Sequence, residues 1–284
     1  MYRIVLSGGE SSLRSRADMY AGVSGATVVG RGEMPPEAVR AVQVADIEST
    51  ESDRMDILRR IGAEVQGVLF PGPAATTVRR LREMRRFCRD RGLRVQVGYP
   101  LRYDPALAKV IEVAGSGVLG ALERTDVVAC GLDARVACPG CHLLDYLTLL
   151  LGAPCAEKPT GEGDASRGFE HCPNVRLTRA RTPLAGIVVR VRGALGSVQC
   201  RSSLSDGTGR GHSHVIVRFH AGGIRRVFGP FQGNCAMLWR AHALRLLTTG
   251  QSDARTVFKE EERRLGLWRG WRSRGDVYER TGGP

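Results

Sequence analysis

The chain has 284 residues, 42% hydrophobic and 25% charged, with 42 basic against 29 acidic side chains and a net charge of +13. That length suits two domains, and the near-average composition excludes a disordered chain, a collagen-like repeat and a disulfide-stapled miniprotein. No uncharged apolar run reaches the roughly 18 to 20 residues that span a bilayer, and the longest, Leu143 to Leu151, is broken by Asp145.

Positive charge raises nucleic acid as a partner, but the basic residues are dispersed. Of the 42, only Lys109, Lys158 and Lys259 are lysines, which leaves 39 arginines spread along the chain without a compact block. We therefore read the field as one that steers a small anionic substrate or an acidic protein partner such as a carrier protein, rather than nucleic acid. The start, Met1 to Gly9, reads as a strand and glycine turn and lacks the pattern of a signal peptide. A cytoplasmic protein with reduced cysteines is the expectation. The eight cysteines show no paired zinc-ribbon spacing. Cys138-Pro139-Gly140-Cys141-His142 fits the haem-attachment pattern in letters only, because that chemistry belongs to exported proteins. No metal is assigned.

In chain order, Tyr2 to Leu6 is a β-branched run closed by Ser7-Gly8-Gly9, Ser11 to Gly22 predicts a helix, and Ala26 to Val29 a second strand. Ser52 or Asp53 is placed to cap a helix through Arg60, and Val65 to Phe70 reads as a buried strand closed by Pro71-Gly72-Pro73. Val78 to Arg91 carries Val78, Leu81, Met84 and Cys88 at helical spacing, and the strand Leu93 to Val97 follows. Parallel strands joined by crossover helices are the economical reading. Beyond Tyr99 the grammar changes. A helix at Asp104 to Gly115, a strand at Leu119 to Val128 and an apolar helix at Cys141 to Leu151 precede four strand-like runs. These are Gly186 to Val191, Ser197 to Arg201, His214 to His220 and Ile224 to Phe228, and two helices close the chain. The fold class is thus α/β, with a Rossmann-like domain at 1–98 and, at 99–284, an α/β domain built on a mainly antiparallel open sheet.

Four stretches together resemble the glucose-fructose oxidoreductase and inositol dehydrogenase (Gfo/Idh/MocA) family. They are Gly8-Gly9 followed by Arg16-Ala17-Asp18-Met19-Tyr20; the segment from Asp53 to Val68-Leu69-Phe70-Pro71-Gly72-Pro73; Val97-Gly98-Tyr99-Pro100-Leu101-Arg102-Tyr103-Asp104-Pro105; and Gly140-Cys141-His142-Leu143-Leu144-Asp145. The resemblance implies a nicotinamide dinucleotide across the strand ends, touched by Gly8, Gly9, Pro71 and Pro73. It also implies hydride exchange with a sugar, cyclitol or related alcohol, and association of copies into a homo-oligomer. Arg31 follows the second strand where the family often has an acidic residue for the ribose, so NADP is expected over NAD.

Three departures qualify that expectation. Glu10 stands where the family's second glycine lets backbone approach the pyrophosphate. The family's next strand ends in Glu-Lys-Pro, whose lysine polarises the reacting oxygen. Only one helix fits between Pro73 and Val95, so that strand and its helix read as deleted. The family's aspartate one turn before the catalytic histidine is Cys138 here, with His142 retained. Cys138 and His142 are then packed remnants, a working site of altered chemistry, or metal ligands. Asp145 either orients His142 or faces solvent. Tyr99 and Arg102 flank the expected cleft and are candidates to bind an anionic substrate. The resulting expectation is an enzyme of specialised metabolism acting on a small polar metabolite by non-redox acid/base chemistry. Its alternatives are an NADP-dependent oxidoreductase and a pseudoenzyme that scaffolds a protein partner.

Overall fold

The computed structural model describes residues 2–8, 10–31, 42–49, 51–130, 139–155, 167–180, 186–203, 213–223, 225–231 and 235–272. The chain divides into two compact units, 1–100 with 236–266, and 101–235 with 267–284.

The first unit is a parallel sheet in the order β2-β1-β3-β4-β5. Its strands are β1 (Tyr2–Gly8), β2 (Ala26–Arg31), β3 (Val44–Glu48), β4 (Gly67–Pro71) and β5 (Arg94–Gly98). Helix α1 (Glu10–Ala21) links β1 to β2, while α2 (Glu51–Arg60) and α3 (Val78–Asp90) carry the chain the other way across the sheet, from β3 to β4 to β5. Right-handed crossovers in opposite directions put α1 on one face and α2 and α3 on the other. Arg59 of α2 and Glu83 of α3 join at 3.0 Å. Thr77 caps α3, its hydroxyl accepting from the Arg80 N–H at 3.2 Å, a cap worth about 1 kcal/mol.

The sequence reading missed β3. Its pattern Val-Ala-Asp-Ile-Glu is buried at the first four positions, and a buried aspartate interrupts what would otherwise read as an apolar run. It also assigned everything past residue 98 to the second domain, whereas α6 (Cys235–Thr248) and most of α7 (Ala254–Arg272) belong to the first unit. Trp239, Leu244, Leu247 and Phe258 are buried on these helices. Amphipathic spacing shows that a helix has a covered face, and leaves open which sheet covers it. The packing is close: a Cβ on Gly98 would lie 1.8 Å from the Trp239 ring.

The second unit is a seven-stranded sheet in the order β12-β11-β10-β9-β6-β8-β7. It comprises β6 (Leu122–Cys130), β7 (Arg167–Phe169), β8 (Cys172–Ala180), β9 (Gly186–Gly193), β10 (Gly196–Ser203), β11 (Ser213–Phe219) and β12 (Arg225–Phe231). All pairs are antiparallel except β6 with β8. Helices α4 (Pro105–Gly115) and α5 (Pro139–Leu151) cover one face. Leu107, Val110, Leu143 and Leu147 meet Val127, Val189, Val191, Val198, Val215 and Val217 in one apolar core. Asp104 caps α4 by accepting from the Ala106 and Leu107 N–H groups at 2.9 Å, with Pro105 opening the helix where no N–H is needed.

Candidate functional site

In the first unit the strand order reverses between β1 and β3, and ligands of open parallel sheets lie outside the carboxyl ends at such a point. β1 ends there in Gly8 at φ 151°, a conformation open to glycine. A Cβ at Gly8 would lie 2.2 Å from the Glu48 carbonyl oxygen. α1 begins two residues later, at Glu10, and directs its N-terminal N–H groups outward. Gly9 and Cys138 lie outside the described residues, as do the side chains of Glu10 and Arg31.

Beneath this turn lies an ionic cluster that sequence reading did not find. Asp46 of β3 is fully buried. Its carboxylate accepts from Tyr20 Oη at 2.9 Å and Arg240 Nε at 2.8 Å, and stands 3.1 Å from Arg16 Nη1. Tyr20 and Arg16 come from α1 and Arg240 from α6, so one carboxylate ties both helices to the same sheet face. Arg16 also donates to the Ser7 carbonyl at 2.9 Å, and Glu48 lies 3.2 Å from Arg16 and 3.5 Å from Arg240. Burial alone would raise the Asp46 carboxyl, but Arg240 and Arg16 hold it below its ordinary value. Burial and the Asp46 charge push the Tyr20 phenol well up. No local pattern announces such a cluster, because the three side chains that meet the Asp46 carboxylate are 26 to 194 residues from it in the chain.

A second buried carboxylate sits at the ends of β4 and β5. Glu261 of α7 accepts from Tyr99 Oη at 2.9 Å, Arg264 Nη1 at 2.6 Å and the Ala74 N–H at 3.3 Å. Burial raises its carboxyl, and Arg264 and the other donors offset part of that rise. The Tyr99 ring lies against Gly72, where a Cβ would come within 2.7 Å of Tyr99 Cζ. Tyr99, expected to bind an anion, instead donates to a carboxylate within the first unit.

With β3 in place, the strand before the Gly98-Tyr99 strand is β4, and it ends in Pro71-Gly72-Pro73. As expected from the sequence, α3 alone connects β4 to β5 and no further strand lies between them. The Tyr99 ring fills the space beside Gly72. Pro73 is buried, its carbonyl accepting from Arg54 at 2.6 Å, and Pro71 is half-buried. The turn at Gly8, the α1 N-terminus and the strand-order reversal suit the phosphates of a dinucleotide.

In the second unit His142 and Asp145 lie one turn apart on α5, 6% and 4% exposed. Asp145 does not face solvent. It accepts the guanidinium fork of Arg102, through Nε at 2.6 Å and through Nη2. Arg102, expected to hold an anionic substrate, thus already holds a carboxylate. Burial raises the neighbouring Tyr103 phenol. Asp104 further accepts from the Ser202 hydroxyl, which receives a bond from Ser213 at 3.3 Å, so a buried polar chain runs from the α4 cap to β10 and β11. Among the described residues no three His, Cys, Asp or Glu side chains are grouped to hold a metal. No described helix is long and apolar enough to cross a membrane.

No protein-family model matches the sequence, and none of the curated proteins matches it. The fold does find solved counterparts. A 3-ketoreductase from Actinomadura kijaniata, solved with NADP and TDP-benzene, is similar with a TM-score of 0.73 at 14% identity, over 96% of this chain and 97% of that one. An oxidoreductase from Agrobacterium radiobacter, solved with NAD+, L-tartaric acid and magnesium, is similar with a TM-score of 0.67 at 14% identity, over 94% of each chain. The chain therefore has the fold of NAD(P)-dependent oxidoreductases, with a parallel Rossmann-like sheet and a second, mixed sheet. At this identity the likeness is one of fold.

Proposed function

We propose that the protein is a nicotinamide-dependent oxidoreductase that acts on a small polar metabolite of the sugar or cyclitol class, with NADP as its dinucleotide. The observation that carries this reading is the likeness, over nearly the whole of both chains, to oxidoreductases solved with NADP or NAD+. It favours the oxidoreductase alternative over non-redox acid/base chemistry. Gly8 and the N-terminus of α1 would hold the phosphates, and Arg31, closing β2, would meet the ribose phosphate. The bound nicotinamide would accept or deliver the hydride. His142 is the residue of this chain that we assign to move the proton, a task that suits an imidazole near neutral pH. Asp145 and Arg102 brace α5 around it rather than contacting substrate.

Titration of the purified protein with NADPH and NADH, followed by ligand fluorescence, tests the cofactor. Micromolar NADPH affinity exceeding that for NADH is expected; no binding at millimolar cofactor by folded protein overturns the reading. On an identified substrate, His142→Gln is expected to abolish turnover while leaving dinucleotide affinity unchanged. Unaltered turnover would remove His142 from the reaction.

A further inference from the structure

The loop that follows β4 is held from several sides, and two of its holders are buried ionic side chains. Arg54, at the end of the first turn of α2, donates through Nη1 to the carbonyls of Pro73 at 2.6 Å and Ala74 at 2.7 Å. Its Nε donates to the Ser49 carbonyl at 3.1 Å, so one guanidinium joins the carboxyl ends of β3 and β4. Glu261 of α7 accepts from the Ala74 N–H and from Tyr99 Oη. The Gly72 N–H donates to the Gly98 carbonyl at 2.7 Å, which ties the loop to the end of β5 as well. Arg54 and Glu261 are 4% and 2% exposed, and Gly72, Pro73, Ala74 and Ala75 are buried with them. Neither charge stands where its surroundings favour it. A helix N-terminus is partly positive, which opposes a guanidinium in the first turn of α2, and burial opposes both groups. Connecting loops ordinarily run over the surface, where water completes their backbone. A short link that is instead buried and fastened by two ionic side chains has a position to keep.

Within 71–75 it is Pro71, closing β4, that is only half-buried. In the order β2-β1-β3-β4-β5 it stands two strands from the Gly8 turn, about 10 Å along the carboxyl edge of the sheet. A dinucleotide with its phosphates at Gly8 and its adenosine end toward β2 extends its nicotinamide half the other way, over β3 and β4. We propose that Arg54 and Glu261 are positioning residues for the nicotinamide ring, acting through the end of β4, with the Pro71 ring as the apolar surface against which the nicotinamide lies. This rests on the nicotinamide-dependent reading above. The N–H groups of Gly72 and Ala74 and the carbonyls of Pro73 and Ala74 are turned to Gly98, Glu261 and Arg54, so the loop meets the ring by shape rather than by those hydrogen bonds. A reacting ring must be placed to a fraction of an ångström, and a support fixed from several sides supplies that precision.

The test measures by calorimetry the affinities of the full-length protein for NADPH and for 2′-phospho-ADP-ribose, which is NADP without its nicotinamide. The variants are Arg54→Met, Arg54→Lys and Glu261→Ala, with Ser202→Ala as a control that removes a buried hydrogen bond in the second unit. Arg54→Met and Glu261→Ala are each expected to weaken NADPH at least about tenfold while 2′-phospho-ADP-ribose stays within about twofold. Arg54→Lys, which keeps a donor for the loop carbonyls, should recover most of the NADPH affinity, and Ser202→Ala should leave both affinities unchanged. Equal weakening of the two ligands in Arg54→Met and Glu261→Ala would mean a general loss of structure and overturn the proposal. Unchanged NADPH affinity in both variants would overturn it too. Circular dichroism checks folding, and Arg54→Lys with Glu261→Gln carries the same comparison, with the same split expected, if the larger truncations do not fold. A parent protein that binds neither ligand would overturn the dinucleotide reading itself, and the proposal with it.

Discussion

The two units place their charges differently. In the first, buried carboxylates tie helices to the sheet: Asp46 between Arg16 and Arg240, and Glu261 against Arg264 and Tyr99. In the second, Asp104 and Asp145 are buried too, held by Ser202 and Arg102, but the core between the sheet and α4 and α5 is otherwise mostly apolar and many arginines stand outside on the far sheet face. A buried ion pair gains little net stability over an apolar pair of the same shape, yet breaking it leaves a charge stranded in low dielectric. The first unit should therefore be sensitive to single charge deletions in its interior. The second should tolerate charge changes on its open face and fail through its apolar core and the polar chain beneath α4.

The largest expected effect is at Asp46. Removing its carboxylate in Asp46→Ala leaves the buried Arg16 and Arg240 with the more exposed Glu48 as counter-charge and is expected to cost about 3 to 5 kcal/mol in urea unfolding. A loss under about 1 kcal/mol would show that the cluster is not what fastens α1 and α6 to the sheet. Next comes Gly98→Ala, whose new methyl would enter the Trp239 ring. Overpacking of this kind costs about 1 to 3 kcal/mol, and restoration of stability by Trp239→Leu in the same chain would identify the clash as its cause. For the second unit, Ser202→Ala removes the hydroxyl that donates to Asp104, with about 1 to 3 kcal/mol expected from the acceptor left in the interior. Ser202→Thr, which keeps the hydroxyl, should lose less, and equal losses would refute a role for that bond.

The smallest effect is one of slope. Asp46, held below its ordinary value of 3.8, contributes stability that is present above that value and is lost as pH falls through its folded pKa. Glu261, raised above its ordinary 4.5, has the opposite sign. Its contribution is complete below 4.5 and is lost as pH rises through the folded pKa. Urea midpoints between about pH 4 and pH 7 should thus decline less with rising pH in Glu261→Gln than in the parent. Parallel profiles would contradict the burial cost assigned to this carboxyl.

Much of the architecture was legible locally. β1, β4 and β5 are apolar runs bounded by glycine or proline, α3 and α4 carry helical periodicity, and β9 to β11 alternate buried with more exposed residues. β3 was not, because Asp46 reads as polar until two arginines from distant helices are brought to it. Its omission left the sequence reading one strand short of the five in the parallel sheet. The candidate site was legible in part. His142 and Asp145 on one helix, and Gly8 in a tight turn, follow from spacing and residue type, whereas Tyr99 and Arg102 have partners, Glu261 and Asp145, that are 162 and 43 residues away.

The sequence by itself determined the elements and their class, since hydrophobic period, turn residues and caps act over a few residues. Tertiary structure alone decided which sheet the C-terminal helices cover, which arginines are spent on buried carboxylates, and which remain on an open face. Those outcomes depend on long-range pairing, and the desolvation cost of a charge is set by everything packed around it.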